Sequence, residues 1–172
     1  MAPHKTMADR SGYLLDHIAS ITHRQFDQSL QERLGIGVAQ YNIMSMLQAY
    51  PDIPQRRLGV GLGQTEASIS RQIKLLERRG MVAVKIDPSE RRRRLVSLTG
   101  RGIRMAEAAE DVLATQREQL LGALTSKEQG KLHEMLDKLH HHACQPGKTL
   151  ACDRPFDLLD AYNAQREVEL SQ

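Results

Sequence analysis

"TEASISRQIKLLERRGMVAVKIDPSERRRRLVSLT", residues 65–99, places a helix, a turn and a hairpin in immediate succession. Ile69, Ile73 and Leu76 recur at helical spacing and predict a helix over 65–80 with one buried face. Thr65 stands as its N-cap and Gly80 as its terminator. The opposite face carries Glu66, Ser70, Lys74 and Arg78, with Ala67, Ser68 and Arg71 beside it. "MVAVKI", 81–86, is β-prone, and "RLVSLT", 94–99, alternates Leu95, Ser97 and Thr99 against Val96 and Leu98. Asp87-Pro88-Ser89-Glu90 between them is turn chemistry, which predicts a two-stranded hairpin with Arg91, Arg92, Arg93 and Arg94 at its tip.

Working toward the N-terminus, "PQRRLGVGLGQ", 54–64, predicts a short helix with Pro54 in its first turn. Gly59 and Gly61 weaken that helix by roughly 1 kcal/mol each relative to Ala, so packing or a close backbone approach must account for them. Residues 39–50 predict a helix buried through Ile43, Met44 and Leu47 and ended by Pro51. Residues 11–34 repeat Leu14, Ile18, Ile21, Phe26, Leu30 and Leu34, with Ser11 as expected N-cap and Gly35 as stop. Toward the C-terminus, 100–124 predicts a long helix. Thr125 and Glu128 then form a capping box for another helix, running to about Ala143 with Leu132, Met135, Leu136 and Leu139 inward. "QPGKTLACDRP", 145–155, breaks it, and 156–172 reads either as a short amphipathic helix or as disordered chain.

The charge is unevenly placed. Residues 71–94 hold nine positive and three negative side chains, while the whole 172-residue chain carries only +3, so the remainder is net acidic. A basic block on an acidic chain points to a polyanionic partner. With two Phe and no Trp, the core is expected to consist of Leu, Ile, Val, Ala and Met. The sequence has no apolar run near membrane-spanning length and no leader-like apolar segment at its start. Its two cysteines, Cys144 and Cys152, make no disulfide framework, so a cytoplasmic location is expected.

The order of short helix, turn, polar-faced helix and basic hairpin has helix-turn-helix spacing, with a hairpin placed to reach the adjacent backbone and minor groove of a duplex. "PQRRLGVGLGQTEASISRQIKLLERRGMV" followed by "DPSERRRRLVSLTGRG" resembles the winged helix-turn-helix of the MarR family of bacterial transcription regulators. The resemblance is centred on 39–100 and extends more weakly over 11–143.

It implies a mainly α fold with a small β-hairpin and flanking dimerisation helices. Residues 1–38 would form an N-terminal dimerisation helix, 39–100 the DNA-binding domain, 101–144 the C-terminal dimerisation helices, and 145–172 a tail. The implied DNA-binding residues are Thr65, Ala67, Ser68, Ser70, Arg71, Lys74, Glu90, Arg91, Arg92, Arg93 and Arg94. Glu90 stands where the family's wing has its second Asp, which by this match makes it the acid that orients Arg92 in the minor groove. The resemblance also implies a homodimer on a pseudo-palindromic double-stranded operator. It further implies repression released by a small aromatic or anionic effector, bound near Tyr13, His17 or His23, with no cofactor and no membrane partner.

Other chemistries are weaker. His133, His140, Cys144 and Cys152 admit a metal- or redox-sensing regulator, although adjacent histidines point in different directions round a helix, and no metal site is assigned. "GVGLGQ" follows no strand, which removes a dinucleotide-binding loop. A metal-dependent enzyme is a distant third reading, because no nucleophile–base pair or paired carboxylates stand out.

Overall fold

The computed structural model describes residues 6–91 and 93–143. Arg92, Cys144 and the segment 145–172 lie outside these, and so do the expectations that rest on them. The chain divides into two compact units, one ending at Val38 and the other beginning at Ala39.

The first unit is helix α1, Met7–Leu34. It begins before the expected Ser11 because a stronger cap lies upstream. The Thr6 hydroxyl accepts the Asp9 amide at 3.1 Å, and the Asp9 carboxylate accepts the Thr6 amide at 2.8 Å. This reciprocal box satisfies two N-terminal donors at once. The helix stops at Gly35, whose left-handed φ of 66° returns its N–H to the carbonyls of Leu30 and Gln31. The Val38 amide then donates to Asp27 Oδ1 at 2.9 Å, turning the chain back along the helix. Leu30, Ile36 and Val38 are buried, whereas every residue from 6 to 20 is exposed.

The second unit takes α2 (Val38–Ala49) from its second residue onward, then β1 (Ile53–Pro54), α3 (Gln55–Leu62), α4 (Glu66–Arg78), β2 (Val82–Ile86), β3 (Arg94–Leu98), α5 (Gly100–Leu121) and α6 (Ser126–Ala143). The hairpin is as expected, with Val84 opposite Val96, but the sheet has a third strand in the order β1-β3-β2. Ile53 pairs with Val96 and Pro54 with Leu95. Pro54 has no N–H to give, so β1 can only be an edge. The core comprises Ile43, Met44 and Leu47 of α2, Leu58 of α3, the α4 stripe, Val82 and Val96 of the sheet, and Ala106, Ala109 and Leu113 of α5.

Two features fix α5 to this core. The Tyr41 phenol donates to Glu110, which also holds Arg117 at 2.5 Å. Burial first, and then the Glu110 carboxylate, push the Tyr41 phenol well above its ordinary pKa. At the start of α5, Thr99 caps the helix by accepting the Gly102 amide and donates its hydroxyl to the Gly80 carbonyl at 2.7 Å. Gly102 must lack a side chain, since a Cβ there would lie 2.0 Å from the Met81 carbonyl oxygen.

The sequence expected Leu132, Met135, Leu136 and Leu139 to face inward. α6 has the expected Thr125–Glu128 box but buries no residue. Its stripe has the predicted spacing, yet Leu132 is only half-buried and Met135, Leu136 and Leu139 are exposed.

Candidate nucleic-acid interface

The α3–α4 turn is tight because of its glycines. Gly63 takes a left-handed φ of 60°, the Gln64 amide donates to the Gly59 carbonyl at 2.9 Å, and a Cβ on Gly59 would come 3.1 Å from the Gln64 carbonyl oxygen. Gly59 is therefore explained by close backbone approach. Thr65 caps α4 as expected, its hydroxyl accepting the Ser68 amide at 3.2 Å.

Burial of Ile69, Ile73 and Leu76 sets the rotation of α4. Ala67, Arg71, Lys74 and Arg78 then lie opposite the buried stripe, all exposed, with Glu66 and Glu77 on the flanks. Ser68 and Ser70 are half-buried at the edges of that face, so Ser70 is less outward than its place in the sequence suggested. The Ser68 hydroxyl is already committed, donating to Gln64 Oε1 at 3.2 Å.

The wing tip is ordered by an acid that the sequence offered only as a turn residue. Asp87 is buried, and its Oδ1 accepts both the Ser89 amide at 2.9 Å and the Ser89 hydroxyl at 2.6 Å. Its Oδ2 lies 3.4 Å from Arg93 Nε. The Asp87 amide donates to the Arg93 carbonyl at 2.9 Å, so the strand ladder continues one pair past β2 and β3. Bonds from Ser89, and then the charge of Arg93, hold the Asp87 carboxyl below its ordinary range. Asp87 thus fixes the turn and aims one arginine. Arg91, Arg93 and Arg94 are all exposed. The expected pairing of Glu90 with Arg92 lies outside the described residues.

An exposed basic helix face beside a basic loop, both anchored to one core, suits an extended anionic surface. The other candidate sites are less assembled. Tyr13, His17 and His23 are exposed on α1, and the first two stack at 5.4 Å between ring centroids. His133 and His140 lie on α6, where His141 Nδ1 is 3.2 Å from Asp137 Oδ1. Among the described residues, no group of three His, Cys, Asp or Glu comes together to hold a metal, and no helix is long and apolar enough to cross a membrane.

A tight helix-turn-helix followed by an antiparallel wing on a helical scaffold defines a winged helix-turn-helix. The MarR family model matches residues 34–93. Transcriptional regulator HosA of Escherichia coli O111:H- is 31% identical over 100 residues, covering 58% of this chain and 74% of HosA. An HTH-type transcriptional repressor of Mycobacterium bovis is 27% identical over 128 residues, covering 74% of this chain and 91% of that protein. Among solved structures, the S. aureus MepR–DNA complex superposes with a TM-score of 0.66 at 25% identity, over 74% of this chain and 94% of MepR. The chain belongs to the MarR family and is a transcription regulator, not an enzyme.

Proposed function

We propose that this regulator is a homodimeric, sequence-specific DNA-binding repressor released by a small aromatic or anionic ligand. The observation that carries the DNA-binding reading is the exposed face of α4, with Ala67, Arg71 and Lys74, beside a wing bearing Arg91, Arg93 and Arg94. α4 enters the major groove with Thr65 and Ser68 at its leading end and Ser70 at its edge. Arg71 reads a base edge, where a bidentate contact discriminates sequence. The wing lies along the adjacent backbone and minor groove, where guanidinium suits a narrow electronegative channel. The relatives named as repressor and as DNA complex support this reading.

Dimerisation is supported by the apolar side chains left exposed on α1 (Leu14, Leu15, Ile18), at the end of α5 (Leu120, Leu121) and on α6. Residues 1–38 and 101–144 act in this reading as the dimerisation elements around the DNA-binding 39–100. Two-fold symmetry then requires half-sites ~34 Å apart. The effector favours a dimer whose recognition helices are misaligned, with Tyr13, His17 and His23 as candidate ligands for it.

The test begins with sequencing the genomic fragments that the purified protein retains. On such a fragment, Arg71→Ala reduces the preference over random duplex by roughly 1–3 kcal/mol. Equal loss on both duplexes removes the base-reading role of α4.

A further inference from the structure

Helix α5 is held by polar bonds at two points along its length. One is its first turn, where Thr99 caps the helix and bonds the Gly80 carbonyl. The other is Glu110, about 12 Å beyond Gly102 at the helical rise per residue. Both of its carboxylate oxygens are taken: Oε2 accepts the Tyr41 phenol of α2, and Oε1 accepts the Arg117 guanidinium at 2.5 Å. Ser45, one turn along α2 from Tyr41, hydrogen-bonds the same phenol. All four side chains are half-buried, and Tyr41 and Glu110 are 69 residues apart in the chain. None of them belongs to the exposed face of α4 or to the wing.

Apolar packing by itself sets the direction of α5 only loosely. The helix buries Ala106 and Ala109 on either side of its midpoint and Leu113 beyond. Two alanines present a nearly flat surface, and apolar burial has no preferred direction. A hydrogen bond to a charged group weakens steeply with distance and angle, so the Tyr41–Glu110 bond selects one tilt. Past Glu110 the helix runs on to Leu121, about 28 Å from Gly102. By that lever ratio, a displacement of about 1 Å at Glu110 grows to about 2.4 Å at Leu121. Leu120 and Leu121 are exposed and belong to the surface on which the proposed second copy sits. We propose that Tyr41, acting through Glu110 and Arg117, is a positioning residue that fixes the separation of half-sites the dimer accepts. The proposal rests on the homodimeric DNA-binding reading above and adds to it what makes the spacing exact.

The full-length protein is titrated against duplexes carrying the two half-sites of a retained genomic fragment at native spacing, with base pairs inserted or removed between them, and against a single half-site. Tyr41→Phe keeps the ring and removes the bond; Glu110→Gln keeps the shape and removes the charge. Each lowers the preference for native over altered spacing about fivefold, the worth of one net hydrogen bond, and leaves single half-site affinity and self-association unchanged. The double variant loses no more than the larger single, because both changes break one unit. Tyr41→Phe with the wild-type spacing preference overturns the proposal, as do losses that add in the double variant. An equal loss at every spacing and on the single half-site also overturns it and leaves Tyr41 a packing residue. Wild-type protein that neither self-associates nor binds duplex removes the homodimeric DNA-binding reading and the proposal with it. A wild-type spacing preference that survives both variants removes the proposal alone.

Discussion

α4 and α6 carry the same kind of sequence and meet opposite fates. Each has apolar residues at three- and four-residue spacing: Ile69, Ile73 and Leu76 in one, Leu132, Met135, Leu136 and Leu139 in the other. Ile73 is 2% exposed, whereas Met135 is 56% and Leu139 54% exposed. Periodicity specifies that a face will be covered; it does not specify by what. For α4 the cover is the chain's own α3 and β2. For Met135, Leu136 and Leu139 of α6 the described chain leaves the face exposed, and in the proposed assembly a second copy covers it.

The comparison breaks first if Ile73 is dispensable. Ile73→Ala removes buried methylenes from a closed core and costs about 2–5 kcal/mol. The loss, read by thermal or denaturant melting, should be independent of protein concentration. A cost below about 1 kcal/mol would show that the α4 core is loosely packed.

A smaller and different effect is expected on α6. Leu136→Lys with Leu139→Lys leaves the secondary structure seen by circular dichroism unchanged but weakens self-association at least tenfold, about 1.4 kcal/mol. Sedimentation should show dimer for wild type and monomer for the variant at the same micromolar concentration. Wild-type melting should rise with concentration and the variant's should not. Wild-type protein that sediments as monomer at tens of micromolar would leave the α6 stripe without its proposed cover.

The smallest effect concerns the wing. The Asp87 carboxyl titrates below its ordinary value in the folded state, so its contribution is fully present above the unfolded value near ~3.9 and is lost as pH falls through the lower folded value. An NMR titration of the Asp87 side-chain carboxyl should give a midpoint below that of an exposed aspartate. Ser89→Ala, which removes the strongest of the bonds, should move the midpoint up. An unshifted midpoint in wild type would mean that the turn is not held by this acid.

Most of the architecture was legible because its signals are local. Thr65, Gly35, Gly80 and the Thr125–Glu128 pair each act within a few residues of themselves, and each behaves as its chemistry predicts. The early start of α1 was missed because Thr6 and Asp9 precede the first apolar residues of the stripe, where periodicity gives no cue. β1 was missed because two residues, one of them proline, have no strand pattern of their own; the pairing with β3 is made 43 residues away for Ile53, opposite Val96, and 41 for Pro54, opposite Leu95. In the candidate site, helix phase located the outward face of α4, but the half-buried position of Ser70 depends on how the stripe seats in the core. Asp87 was visible as a turn former. Its hold on Arg93 needs the hairpin closed, which brings together two groups six residues apart.

The junction at Thr99 has a mechanical consequence. The Thr99 amide reaches the Met81 carbonyl at 3.0 Å, its hydroxyl reaches the Gly80 carbonyl, and the same hydroxyl caps α5. Gly102 lies too close to the Met81 carbonyl to admit even a methyl group. The end of α4, the root of β2 and the start of α5 therefore share one pivot with no compliant spacer between them. A tilt of the 22-residue α5 would bear on these bonds. They join its first turn to the end of α4, so a displacement far along the lever would load the helix that carries the exposed basic face.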